Sequence, residues 1–350
     1  MEPPARAAQD VTPDPPSATS KLRLIAYVAI LTAITFTQAP GRIVADTKFD
    51  LSADPWTFLA RALNMWDAQG AFGQVQNQAI GYLWPMGPFY GLGQLAQLPD
   101  WVIQRLWWAL LLNLAFLGVL AVARELQLGR PWAQVAGAAA YVLTPRVMTI
   151  LGANSAELWP TAVAPWVLLA VIRASGTTTT KDLVRWCAVA ALAVACAGGV
   201  NATAVSAVIV PGVVFLLTRT GVRRFAALVL WGVFTILATL WWTIPLVLQG
   251  RYIPPFLDYI ETAAVTSSTT GLLPTLLGTS DWVAYADPLY YPAGQSLHAT
   301  PFLVLDAAAV VAIGLAGLAG IGRARRHPET RFLIGCVLAG TVLVGIGYTG

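Results

Sequence analysis

Apolar residues run through this chain in long unbroken stretches, and the polar ones gather between them. Nine stretches, at approximately residues 22–39, 101–123, 132–150, 157–173, 184–200, 202–218, 225–248, 301–322 and 332–350, are long enough, or nearly so, to cross about 30 Å of hydrocarbon as helices. The pattern predicts an all-α polytopic membrane protein of about nine spans. Residues 1–20 hold Pro, Ala, Ser and Thr without an apolar period, which predicts a disordered cytoplasmic tail. The run behind Lys21 and Arg23 has the flanks of a secretory signal, but no convincing small-residue cleavage site follows it, so it reads as a retained first helix. Residues 21–350 then make one transmembrane domain with two long interruptions, at 40–100 and 249–300. The sequence stops within or just after an apolar run, and reads as the amino-terminal part of something longer.

Composition sharpens this picture. Hydrophobic residues are 57% of the chain and charged ones 11%, against about a quarter charged in soluble domains. The net charge of +4 would suggest nucleic acid in a soluble protein. Here the basic residues sort by side of the membrane instead: with the amino terminus inside, 15 of the 21 Lys and Arg fall in inner segments. The carboxylates do the reverse, 11 of 17 lying at or near the outer face. Acidic residues contribute little to topology, so that excess points to an extracytoplasmic site in a plasma-membrane protein. Cys187, Cys196 and Cys336 all sit in apolar stretches without a pairing motif and read as small hydrophobic fillers. There is no phosphate-cradling Gly-rich loop, no His/Cys metal spacing and no serine-nucleophile motif. No cofactor is implied, and a divalent cation is not indicated.

Both long outer segments are structured by their sequence. Asp54 followed by Pro55 marks a helix start, with the carboxylate as cap and proline at the first helical position. The spacing predicts a helix to about Gln69, stopped by Gly70, with Trp56, Leu59, Leu63 and Trp66 on one face lying in the membrane interface. Residues 82–98 are too short and too broken by Pro and Gly for a span, and predict a second interfacial or re-entrant helix. The second outer segment, 249–300, mixes turns with Trp282, Tyr285, Tyr290 and Tyr291, an aromatic content that argues against disorder.

This layout resembles the GT-C class of membrane glycosyltransferases. The wording ADTKFDLSADPW, with PPFLDYIETAA and YYPAGQSLHATP, is similar to the actinobacterial alpha-1,3-arabinofuranosyltransferase family over essentially the whole chain after the tail. The resemblance implies inverting transfer of arabinofuranose from decaprenyl-phospho-arabinose to an arabinan acceptor of the cell wall, arabinogalactan or lipoarabinomannan, at the outer face. Family members are far longer, with further spans and outer carbohydrate-binding modules. The resemblance also implies an acyl carrier protein as a cytoplasmic partner, for which the inner cluster Arg219, Arg223 and Arg224 is the candidate dock.

Such a reaction needs a carboxylate to take the acceptor proton and donors to steady the departing phosphate. Asp46, the first carboxylate after the first span, matches the position of the class's catalytic base; the plain alternative is a solvated loop residue. Asp50 is a candidate second carboxylate or a turn residue, and Asp54 reads as a helix cap before a catalyst. Arg42 and Lys48 are placed to hold a lipid phosphate, or simply to anchor the loop at the head groups. Glu157, at a tight outer turn, would bind a sugar hydroxyl or cap helix amides. Glu261 and His298 belong to the second outer segment, which in the GT-C class closes over the active site. Trp282 and Tyr290 are placed there to stack on sugar, with an aromatic belt as the plain reading. A transporter or flippase of a lipid-linked glycan, or another polyprenyl-phosphate sugar as donor, are the competing functions. Transporters place ionisable residues at mid-membrane, whereas these span interiors are almost free of charge.

Overall fold

A computed structural model of the chain describes residues 18–44, 46, 48–68, 72–75, 79–253, 275, 301–323 and 327–349. The expectations placed on Glu261, Trp282, Tyr290 and His298 lie outside these residues, as do those on residues 1–17.

The chain opens with α1 (Ala18–Phe36). The outer segment then forms α2 (Phe49–Ala53), α3 (Pro55–Ala62), a two-residue antiparallel ribbon pairing β1 (Trp66–Asp67) with β2 (Gln74–Val75), a 3-10 turn at Ala79–Leu83, and α4 (Met86–Leu95). Long apolar helices follow: α5 (Asp100–Glu125), α6 (Pro131–Val142), α7 (Pro145–Ala153), α8 (Ser155–Ser175), α9 (Thr180–Cys196), α10 (Ala202–Leu217) and α11 (Arg223–Tyr252). Two more, α12 (Pro301–Arg323) and α13 (Thr330–Thr349), complete the described helices.

Each of the nine apolar stretches is therefore helical. Among the described residues α5, α8 and α11 are individually long and apolar enough to cross a membrane, and α6 with α7 makes a further path bent by 45°. Proline explains the bend. Pro145 has no N–H to continue the ladder and pushes Thr144 into extended backbone, from which the Thr144 hydroxyl caps α7 by accepting from the Val147 amide.

The core lies where α8 packs against α5, α9 and α10, with α11 on α9 and with α1 and α6 on α5. Trp107 and Trp108 of α5 are wholly buried. An indole N–H that leaves water needs an acceptor, and two of them find carbonyls on neighbouring helices: Trp166 donates to Leu114 at 2.9 Å and Trp159 to Cys196 at 2.6 Å. Trp107 and Trp159 stack with ring centres 5.3 Å apart.

The outer segment seats on this bundle through close backbone contact. At Gly81 an added Cβ would lie 2.6 Å from the carbonyl carbon of Gly199, so the 3-10 turn touches the α9–α10 connection. Asp54 caps α3 as expected, accepting from the Thr57 amide at 3.1 Å with Pro55 at the first helical position. That hydrogen bond holds its carboxyl below the usual carboxylate range.

One detail of the expected outer helix is corrected. It ends at Ala62, well before Gln69, because the ribbon reverses the chain; Gly73 sits at φ +97° with the Trp66 ring where a Cβ would be. The face packed into the protein is Pro55, Phe58 and Ala62, while Trp56, Leu63 and Trp66 stay exposed. The apolar residues of α3 thus occupy two faces, with Trp56 outward and Leu63 and Trp66 exposed just beyond the helix end.

At the other end of the bundle the basic residues tie helices together. Arg219 pairs with buried Glu329, Arg223 donates to the Thr178 carbonyl, and Arg224 donates to the carbonyls of Arg219 and Leu217. Free carbonyls at helix ends are natural acceptors for guanidinium groups.

Candidate active site

Asp46 is the centre of the described outer site, and it is no solvated loop residue: it is 3% exposed. Its Oδ1 accepts the backbone N–H of Ser155 at 2.5 Å. Its Oδ2 accepts the Ser155 hydroxyl at 2.6 Å and the Trp108 indole N–H at 2.8 Å. The Ser155 oxygen in turn accepts from Trp107 at 2.9 Å, so two adjacent indoles of α5 and the first residue of α8 form one hydrogen-bonded chain ending on the carboxylate. Burial penalises the charged form and pushes Asp46 up to about 6, against the pull of the Ser155 and Trp108 hydrogen bonds and the Arg105 charge.

The loop that carries Asp46 is held from behind by α5. Arg105 is fully buried and donates to the carbonyls of Gln38 (3.2 and 3.1 Å) and Arg42 (3.2 Å). Its guanidinium also donates to Gln104 Oε1 at 2.6 Å and lies 4.2 Å over the Trp108 ring. Gln104 treats Val44 as a strand neighbour would, accepting its N–H at 3.0 Å and donating to its carbonyl at 2.8 Å. That same carbonyl accepts the Asp46 N–H at 2.8 Å. Backbone groups of Gln38, Arg42 and Val44 thereby find partners in a loop with no regular structure.

The other expected residues are placed differently. Asp50, in the first turn of α2, is half exposed and pairs with Arg61 of α3, outside the hydrogen-bonded set around Asp46. The side chains of Arg42 and Lys48 are exposed on either side of the loop. Glu157 lies in the first turn of α8, two residues beyond Ser155, and accepts from Asn154 at 3.4 Å. It lines a cavity separate from the Asp46 cluster.

Ser155, Trp107, Trp108, Gln104 and Arg105 were not singled out by their sequence. Tyr90 belongs with them: it is buried, lies close enough to feel the Asp46 charge, and has Ser52 as a near polar side chain. Beside the cluster a narrow cleft runs past Trp84, Trp107 and Trp159, with about 10 Å³ of water-sized space, enough for one water in this conformation. Among the described residues no group of three or more His, Cys, Asp or Glu is arranged to hold a metal ion.

A bundle of long apolar helices grips a carboxylate in its first loop, as suits a membrane-embedded enzyme domain, and comparison with known proteins gives its class. The profile of the N-terminal GT-C domain of alpha-(1->3)-arabinofuranosyltransferases matches residues 30–350. This chain belongs to that family. It is 42% identical over 323 residues to the alpha-(1->3)-arabinofuranosyltransferase of Mycobacterium tuberculosis, covering 92% of this chain and 23% of the relative. Against the enzyme of the same name from Mycolicibacterium smegmatis it is 45% identical over 320 residues, covering 91% and 22%. The fold is similar to the cryo-EM structure of mycobacterial arabinofuranosyltransferase AftD, with TM-score 0.66 and 32% identity over 95% of this chain and 27% of that one. The chain thus spans less than a quarter of the length of the curated relatives it matches.

Proposed function

We propose that this chain carries the catalytic face of an arabinofuranosyltransferase, with Asp46 as the general base. The acceptor hydroxyl oxygen attacks the anomeric carbon of decaprenyl-phospho-arabinose, the bond from that carbon to the phosphate oxygen breaks, and decaprenyl phosphate leaves with the electron pair. The hydroxyl proton passes to Asp46, and one displacement inverts the anomeric centre. The observation that carries this reading is the buried Asp46 carboxylate raised to about 6, ionised near neutral pH yet basic enough to take a proton.

The clamp on the loop sets the base's position, and the exposed Arg42 and Lys48 flank it as donors for the lipid phosphate. In the described conformation the carboxylate is sealed, so acceptor entry requires the Asp46 loop to move off the tryptophans. In this reading the nine helices cross the membrane with the amino terminus inside, residues 40–100 and 249–300 face outward, and arabinan is the acceptor. Glu261, His298, Trp282 and Tyr290 then serve the sugar from the second outer segment, and Asp50 assists through its contact with Arg61. For an acyl carrier protein, the candidate dock is the inner cluster Arg219, Arg223 and Arg224, whose guanidinium groups also tie neighbouring helix ends together.

Sugar transfer from synthetic decaprenyl-phospho-arabinose to an arabinan oligosaccharide, by purified protein in detergent, tests the assignment. Wild type should be active and Asp46→Asn, at equal folded amount, slower by about 10²–10⁴-fold. Equal rates would remove Asp46 from the role.

A further inference from the structure

A cavity of about 200 Å³ opens where α6 breaks into α7, between that break and the first turns of α8. Its polar lining is Thr144 and Arg146 from one side and Glu157 and Thr161 from the other, over an apolar wall that includes Ile150 and Leu158. We infer that this cavity is a second carbohydrate subsite, which takes the hydroxyls of a neutral pentose ring further along the acceptor than the ring that reacts.

The lining decides the chemistry of the occupant. Arg146 alone would suit a phosphate, but Glu157 lines the same cavity, so the lining carries one charge of each sign and disfavours an anion. What remains is a set of donors and acceptors with no net charge, on an apolar wall, which suits a polyol with a C–H face. The volume admits one small ring and is well below the 300–1,000 Å³ usual for drug-sized ligands. A broken helix of a membrane protein is tolerated where it borders a polar cavity, as the α6–α7 break does here.

Position ties the cavity to an acceptor and not to the donor. Ser155, which grips Asp46, and Glu157 lie two residues apart on one turn, about 200° around the helix at roughly 100° per residue. Asp46 accepts the first amide of α8 and so sits at its amino-terminal end, whereas the cavity opens beside the helix, and neither Asp46 nor Ser155 lines it. A single ring cannot touch both, whereas an oligosaccharide can. This inference rests on the arabinan reading of the acceptor.

Isothermal titration of the purified chain with linear arabinofuranosides of one to four rings tests it directly. Wild type should bind longer oligomers at least tenfold more tightly than the single ring. Glu157→Gln and Arg146→Gln should lose that gain while changing single-ring binding less than twofold, and Thr161→Val, an isosteric change in the same wall, should lose part of it if either charged variant fails to fold. Asp46→Asn should keep the gain, so loss of transfer in that variant with binding intact separates a failed base assignment from a failed subsite. Length-independent binding in wild type, no binding of any oligomer, or competition by decaprenyl phosphate that Arg146→Gln abolishes would each overturn the proposal; the last would assign the cavity to the lipid phosphate.

Discussion

Ser155 grips Asp46 with both of its donors, the backbone amide on Oδ1 at 2.5 Å and the hydroxyl on Oδ2 at 2.6 Å, across 109 residues of sequence. The bidentate hold fixes the plane of the carboxylate, and the two tryptophans of α5 complete it. Holding the charged form this way opposes the desolvation that raises its pKa. Removing either donor therefore has a signed consequence.

Ser155→Ala keeps the amide and deletes the hydroxyl, which lowers the pKa of Asp46 in the wild type. The carboxyl should titrate higher than about 6, and the acid limb of the transfer-rate profile should move to higher pH by a fraction of a unit or more. The Trp107 N–H also loses its acceptor, at a cost of about 1–3 kcal/mol. A pH–rate profile with thermal unfolding measured alongside separates the two effects; an acid limb that stays in place would count against Asp46 as the titrating base.

Stability should also depend on pH through Asp46, with a sign opposite to that of an ordinary paired carboxylate. Its pKa rises from 3.8 to about 6 on folding, so between these values the folded chain binds more protons than the unfolded one. The contribution is favourable at low pH and is lost as pH climbs from about 4 to 6, amounting to about 3 kcal/mol for a shift of this size at 1.36 kcal/mol per unit. Thermal midpoints in detergent should show this fall in wild type, and the fall should be absent from Asp46→Asn.

The clamp behind the loop predicts a local effect. Gln104→Glu retains an acceptor for the Val44 amide but deletes the donor to its carbonyl, and Arg105→Met takes the donor away from the Gln38 and Arg42 carbonyls. Hydrogen exchange at residues 38–48 should rise at least tenfold in both, more in Arg105→Met, with exchange in α9 and α10 unchanged. Uniform exchange across the chain would show that α5 does not act on the loop specifically.

Gly81→Ala tests the seat of the outer segment. The new methyl would meet the backbone of Gly199 and Val200 at 2.6 Å, and neither can rotate away as a side chain end does. Overpacking of this kind costs about 1–3 kcal/mol. A lowered thermal midpoint is expected, and a midpoint equal to wild type would mean that the turn has room to shift.

How far the sequence foretold this arrangement depends on the range of each interaction. The long apolar helices are written in local runs, and the Asp54 cap lies next to the proline that reveals it. Asp46 stood out as the first carboxylate after a span, but its surroundings did not. Its partners lie 62 and 109 residues away, and nothing local distinguishes Trp108 or Ser155 from other tryptophans and serines in apolar helices. Gln104 and Arg105 were hidden for the same reason, being polar residues at the end of a span that would otherwise pass as interface anchors. The early stop of α3 was missed because helical spacing of Trp56, Leu59, Leu63 and Trp66 persists through a segment where the chain has already turned.

The first turn of α8 serves two neighbours at once. Ser155 gives its amide and its hydroxyl to Asp46, and Glu157, two residues on, lines the cavity at the α6–α7 break. One short piece of helix therefore joins the grip on the carboxylate to the wall of the cavity, and a substitution that unwinds this turn should disturb both together.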